Sequence, residues 1–195
     1  MVCCYKLDDP RLYKHIPKQH INRFVEKVIR MKNIYLAVML LLFQSAFSQA
    51  EEQEKINKDV WLNFMQAYQD LDASLFNEIH TGEVLRVPAD QNIILIGQEY
   101  KDQNLETFNR WNAQKVKQRI EFSFIKRIQK DNWGYEIGIY KLTRYNGVTP
   151  TSYYSKFNVT LKKVSGIWKI HSDADTNEEN TISEEDFLKG SLLKY

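Results

Sequence analysis

The sequence predicts an α+β domain, with helices packed on one face of a strongly curved, mainly antiparallel sheet. Three observations carry this. Val60, Trp61, Phe64, Met65, Tyr68 and Leu71 recur at three- and four-residue spacings, the stripe of an amphipathic helix. Between Arg119 and Asp173 the apolar residues switch to alternation, the period of half-buried strands. The strands are separated by Asp131-Asn132, Asn146-Gly147 and Ser165-Gly166, all residues suited to tight hairpins.

Taken in order, residues 49–56 are charged and are expected to be disordered, and the helical stripe follows from Lys58. Asp72 is a good N-cap for a second helix, Ala73 to His80, with Leu75, Phe76 and Ile79 inward, and Thr81-Gly82 stops it. Val84 to Val87 and Ile93 to Ile96 read as short strands, ended by Pro88 and Gly97. A third helix spans 99–117, with Leu105, Phe108 and Trp111 on one face. Four strands close the domain. Their inward residues are expected to be Ile120, Phe122 and Phe124, then Trp133, Tyr135, Ile137 and Ile139. Tyr153, Ser155, Phe157, Val159 and Leu161 follow, and Trp168 and Ile170 close the set. Strands this long must bend, and a bent sheet closed by helices leaves a conical cavity, a natural ligand site.

Charge excludes one class of partner. The chain of 195 residues has a formal net charge of +2, but residues 1–48 hold eight basic and three acidic side chains, leaving 49–195 at −3. No basic face remains to engage a phosphate backbone, so nucleic acid is not an expected partner. Both cysteines, Cys3 and Cys4, precede residue 49, which rules out thiolate metal sites, disulfides and a cysteine nucleophile beyond it.

Residues 31–50, MKNIYLAVMLLLFQSAFSQA, have the grammar of a secretory signal: a short basic start, an apolar run from Ile34 to Phe43, and Ala46-Phe47-Ser48 as a small-x-small cleavage pattern. As a helix that run would rise about 15 Å, half of a bilayer core, so no stable membrane span is expected after cleavage at 48. Residues 1–30 stand upstream of the signal and are read as an extension from a start placed too early, with Met31 the true start. The expected product is exported, periplasmic or secreted.

The ordered set of Trp61, Phe64 and Ala67, Asp72 followed by Leu75-Phe76, the Gly97 step into the third helix, and Gly166-Ile167-Trp168-Lys169-Ile170 before Asp173 resembles the NTF2-like superfamily, in its SnoaL-like, DUF4440-type branch. The resemblance covers residues 57 to about 175 and implies a cone of three helices on a curved sheet. It says less about activity, since this fold hosts isomerases, dehydratases, cyclases and binding domains alike. Ketosteroid isomerases of the superfamily keep an acidic Tyr in the first helix and an Asp before the Pro ending the first strand. Phe64 and Val87 stand at those positions here, which argues against isomerase chemistry of that type. A shift of one residue in the match would instead bring in Arg86 or Tyr68.

The expected function is binding of a small apolar or aromatic molecule in the cone, by Phe64, Tyr68, Trp111 and Tyr135, with no cofactor. The alternative is a lyase or hydrolase using His171 and Asp173, two residues apart and therefore expected on one strand face. A third reading is a homodimer through the sheet face, anchored by Tyr140, Tyr153 and Tyr154. The acidic tail, 176–195, with Asp175 before it, loosely matches a calcium loop through Asp175, Asn177, Glu179 and Asp186, but Asp stands where a bidentate Glu is usual. The preferred reading of the tail is a solvated loop followed by a short helix capped by Ser183, without metal.

Overall fold

In the computed structural model, which describes residues 49–145 and 147–193 together with Lys27, residues 29–32 and Met39, the first helix begins ahead of the apolar stripe. Residues 49–56 are helical rather than disordered, because their side chains have partners on the sheet. Gln53 Nε2 donates to Glu136 at 2.9 Å, Glu52 accepts from Lys163 at 2.6 Å and from the Trp168 indole at 3.1 Å, and Ile56 is fully buried. The helix then widens into a π-helical segment, Asn57–Leu62, and returns to α geometry over Asn63–Asp70; the whole is α1. The wider turn lets consecutive residues, Val60 and Trp61, both face the core. Apart from Met39, the apolar run of the signal lies outside the described residues, as do residues 1–26 before it. Among the described residues no helix is long and apolar enough to cross a membrane.

Helix α2, Ala73–Glu78, starts as expected at Asp72, whose carboxylate accepts from Leu75 N at 3.0 Å. Helix α3, Gln98–Ala113, follows Gly97 and ends earlier than expected, with Lys115 in the left-handed region at φ 52°. Gly97 itself has φ 52°, and a Cβ there would lie 2.9 Å from the Gly82 carbonyl oxygen, so only glycine fits the step.

The strands are β1 (His80–Pro88), β2 (Leu95–Ile96), β3 (Gln118–Lys130), β4 (Trp133–Arg144), β5 (Thr151–Val164), β6 (Ile167–Thr176) and β7 (Ser191–Leu192). They form one curved, unclosed sheet in the order β2-β1-β6-β5-β4-β3-β7. β3 to β6 are the expected antiparallel meander, and β1 runs parallel to β6. This parallel ladder, from His80 opposite Ile170 to Pro88 opposite Asp175, extends β1 well before Val84. His80 is therefore a buried strand residue rather than the C-terminus of a helix.

Inward and outward faces follow expectation on β3 and, from Ser155 onward, on β5, where Tyr153 is exposed, but not on β4. Glu136 is fully buried, while Trp133 and Tyr135 are 47% and 41% exposed. Two contacts set this phase. Glu136 receives the Trp61 indole N–H at 2.6 Å and Arg127 Nε at 3.0 Å. Gly138 lies where a Cβ would come within 2.6 Å of the Phe157 ring. β6 follows the expected phase through Trp168 and Ile170, and then a bulge against β5 inserts one residue, so that the next buried position is Asp173.

Between the helices and the inner sheet face lies a core dense in rings. Trp61 meets Phe122 at 4.6 Å and Phe124 at 5.1 Å, Phe64 meets Phe76 at 4.8 Å, and Trp168 is fully buried against α1. The tail crosses the outer face. Its short helix α4, Glu184–Leu188, opens with a reciprocal Ser183–Asp186 cap, buries Phe187 against Tyr154, and leads into β7 at the edge of β3.

Candidate functional site

The wide end of the helix layer leaves a hollow in two parts. An inner pouch of about 50 Å³ reaches the core rings of Phe64, Phe122 and Phe157. An outer chamber of about 210 Å³ opens past Leu95, Thr107 and Trp111. Tyr68, Phe76, Arg86 and Tyr100 line both parts and form the neck between them.

Charge is gathered at this neck. Arg86 projects inward from β1, and Asp173 and Asp175 project inward from the end of β6, where the parallel ladder sets Arg86 opposite Asp173. Arg86 donates to Asp175 at 2.7 Å and approaches the Asp173 carboxylate at 3.5 Å. The Tyr140 hydroxyl, from β4, donates to the other Asp175 oxygen at 2.9 Å. Burial pushes both carboxyls above the usual range, against the pull of Arg86. Burial also pushes Tyr68 up to about 12 and raises Tyr100 and Tyr140, so all three hydroxyls keep their protons at neutral pH and act as donors. The neck thus offers hydrogen-bond donors, one guanidinium and two carboxylates inside an aromatic wall.

Of the residues expected to bind ligand, Phe64, Tyr68 and Trp111 line this hollow. Tyr135 does not. It stands on the outer sheet face with its hydroxyl 3.3 Å from Asn158, a consequence of the β4 phase. The expected His171–Asp173 pair is separated. His171, next to the inward Ile170, lies on the outer face, where its ring packs edge-on to Trp133 at 5.5 Å and Nδ1 lies 3.2 Å from Thr81 Oγ1, while the β6 bulge turns Asp173 to the pouch. The calcium pattern is not assembled either. Asp175 is held in the cone by Arg86, Asp186 caps α4, and among the described residues no three His, Cys, Asp or Glu side chains converge on a metal position.

Of the expected dimer anchors, Tyr140 is committed to Asp175 and Tyr154 is covered by Phe187, while Tyr153 is exposed. Tyr100 and Asp175 line the hollow and were not among the residues the sequence placed there. Asp173 and Asp175, two apart beyond the inward Trp168 and Ile170, were the available signal, obscured by the bulge. Arg86, flanked by Leu85 and Val87, was a second.

A larger hollow of about 660 Å³ lies on the outer face, between the sheet and the tail. Its lysines are already paired, Lys156 with Glu178 at 3.2 Å and Lys189 with Asp186 at 3.0 Å, and no buried ionisable group lines it.

No family model matches the sequence, and no curated protein matches it. Solved structures do. An NTF2-like protein with a cystatin-like fold from Novosphingobium aromaticivorans superposes with a TM-score of 0.57 at 11% identity, over 74% of this chain and 92% of that one. An NTF2-like protein of unknown function from Shewanella oneidensis gives 0.53 at 10% identity, over 64% and 98%. A protein of unknown function from Mycobacterium tuberculosis gives 0.58 at 12% identity, over 67% and 74%. At these identities the likeness is one of fold. The chain has the NTF2-like cone, as its sequence pattern implied.

Proposed function

We propose that the chain is an exported, SnoaL-like binding protein that takes a small single-ring molecule into the cone. The observation that carries this is the two-part hollow, with an aromatic wall and a polar neck that is itself buried. Ligand sites combine mostly apolar walls with a few placed polar groups, and this hollow does so at a volume just below the usual range, which limits it to a small molecule. Trp111, Tyr68 and Phe108 supply area, and Tyr68, Tyr100 and Asp173 supply direction. Export rests on the signal grammar of residues 31–48. The lyase or hydrolase reading has lost its His171–Asp173 pair, since His171 lies outside the cone. A homodimer would need anchors other than Tyr140 and Tyr154, which are used within the chain.

Native mass spectrometry of the protein purified from its own host tests the binding reading. A retained small molecule that is lost in Trp111→Ala supports it. Turnover of a small substrate by the folded protein, abolished in Asp173→Asn, would instead make the cone an active site.

A further inference from the structure

Resting on the binding reading above, we propose that the ligand carries a cationic nitrogen, an ammonium or protonated amine on a small ring, seated against the Asp173 carboxylate. The first argument is a count. Among the described residues that line the two chambers, Arg86 is the one cation and Asp173 and Asp175 are the two carboxylates, so the neck holds one negative charge in excess when both are ionised.

The second argument is how those charges are partnered. Asp175 is satisfied, by Arg86 at 2.7 Å and the Tyr140 hydroxyl at 2.9 Å. Asp173 is not. Arg86 reaches its carboxylate at 3.5 Å, and among the described residues that carboxylate accepts no side-chain or backbone hydrogen bond. Yet Asp173 is only 8% exposed, and it lines the pouch. A largely buried carboxylate whose open oxygen faces a hollow is costly unless it takes up a proton or something supplies both charge and a hydrogen bond. A ligand N–H⁺ supplies both. A neutral hydroxyl supplies only the hydrogen bond. An anion would face two carboxylates across a guanidinium already engaged.

Nothing else around the neck provides the missing charge. Tyr68, Tyr100 and Tyr140 stay neutral, and His80, behind Phe76 and Tyr100, is held neutral by burial. Arg144 stacks on Trp111 at 5.5 Å but lines neither chamber. The wall suits a cation as well, because Tyr68, Tyr100 and Trp111 present ring faces and edges within reach of the chamber, and aromatic faces attract ammonium groups.

The test is calorimetric titration of the full chain at neutral pH with three near-isosteric probes: benzylammonium, benzyl alcohol and benzoate. Benzylammonium should bind about tenfold or more tighter than benzyl alcohol, with benzoate weakest. In Asp173→Asn that preference should vanish while benzyl alcohol binding survives, and His171→Gln should leave all three unchanged. Benzyl alcohol or benzoate binding more tightly than benzylammonium in the unaltered chain overturns the cationic ligand and leaves the pocket standing. Binding by none of the three overturns both.

Discussion

Replacing Glu136 is the sharpest probe of how α1 is tied to the sheet. The carboxylate is fully buried and accepts four hydrogen bonds: from the Trp61 indole at 2.6 Å, from Gln53 Nε2 at 2.9 Å, and from Arg127 at 3.0 and 3.2 Å. In Glu136→Ala the Arg127 guanidinium, with a side chain 18% exposed, loses its counter-charge. An uncompensated buried charge costs about 3–5 kcal/mol. The orphaned indole N–H adds roughly 1–3 kcal/mol. Arg127 keeps the Asn57 side-chain oxygen at 2.7 Å and the face of Phe124 at 3.8 Å, which relieves part of the loss. The expected net cost is about 4 kcal/mol, read from urea unfolding by tryptophan fluorescence with far-UV dichroism as the second probe. Removing both charges, in Glu136→Leu with Arg127→Met, should recover at least about 2 kcal/mol, because the desolvation penalty of the pair goes with it. A loss under about 1 kcal/mol for the single variant would refute the reasoning. So would a double variant no more stable than the single one.

Trp168→Ala should cost about 3–5 kcal/mol in the same assay, since it empties a fully buried site and frees Glu52 from the indole; a loss under about 1 kcal/mol would undo the β6 face assignment. Gly138→Ala should destabilise by about 1–3 kcal/mol, because its Cβ would sit 2.3 Å from the Ser123 carbonyl oxygen as well as against Phe157; a thermal midpoint equal to that of the unaltered chain would contradict the β4 phase. His80 is pushed down to about 3 by burial, while an unfolded His titrates near 6.5. Its contribution is therefore complete above pH 6.5 and falls away as the pH drops toward 3, with unfolding taking up about one proton in that window. His80→Phe should remove up to about 1.4 kcal/mol of pH dependence per unit between pH 6 and 4, seen as a flatter urea midpoint against pH; an unchanged slope would place the acid sensitivity elsewhere.

Much of the architecture is legible in local pattern. The α1 stripe, the Asp72 cap, the Ser183 cap and the two-residue turns at Asp131-Asn132 and Ser165-Gly166 are each decided by a few neighbouring residues, because helix periodicity, capping and tight-turn chemistry act over a handful of positions, whereas β4 and β5 are joined by the longer segment 145–150. The phases of β3 and β5 were legible for the same reason, as their inward residues are mostly apolar and their outward ones mostly polar. Residues 49–56 were not legible, because what orders them are Glu136, Lys163 and Trp168, distant in the chain.

By itself, then, the sequence determined an α+β cone: three helices, a meander of four strands, and a hollow walled in part by Phe64, Tyr68 and Trp111. Only the tertiary structure decided which face of β4 turned inward and which chemistry the cone holds. Period-two reasoning assigns the apolar side of a strand to the core, and on β4 that puts Trp133 and Tyr135 inside. In the fold a buried glutamate with matched donors on α1 and β3, and a glycine that makes room for Phe157, outweigh the exposure of those rings. The single bulged residue of β6 had the larger consequence. It broke the alternation that placed His171 beside Asp173, and it turned Asp173 and Asp175 together toward Arg86 on a strand that is parallel in space and remote in sequence. A bulge is set by how two strands close against each other around a core, and that information is carried by pairs of residues far apart in the chain.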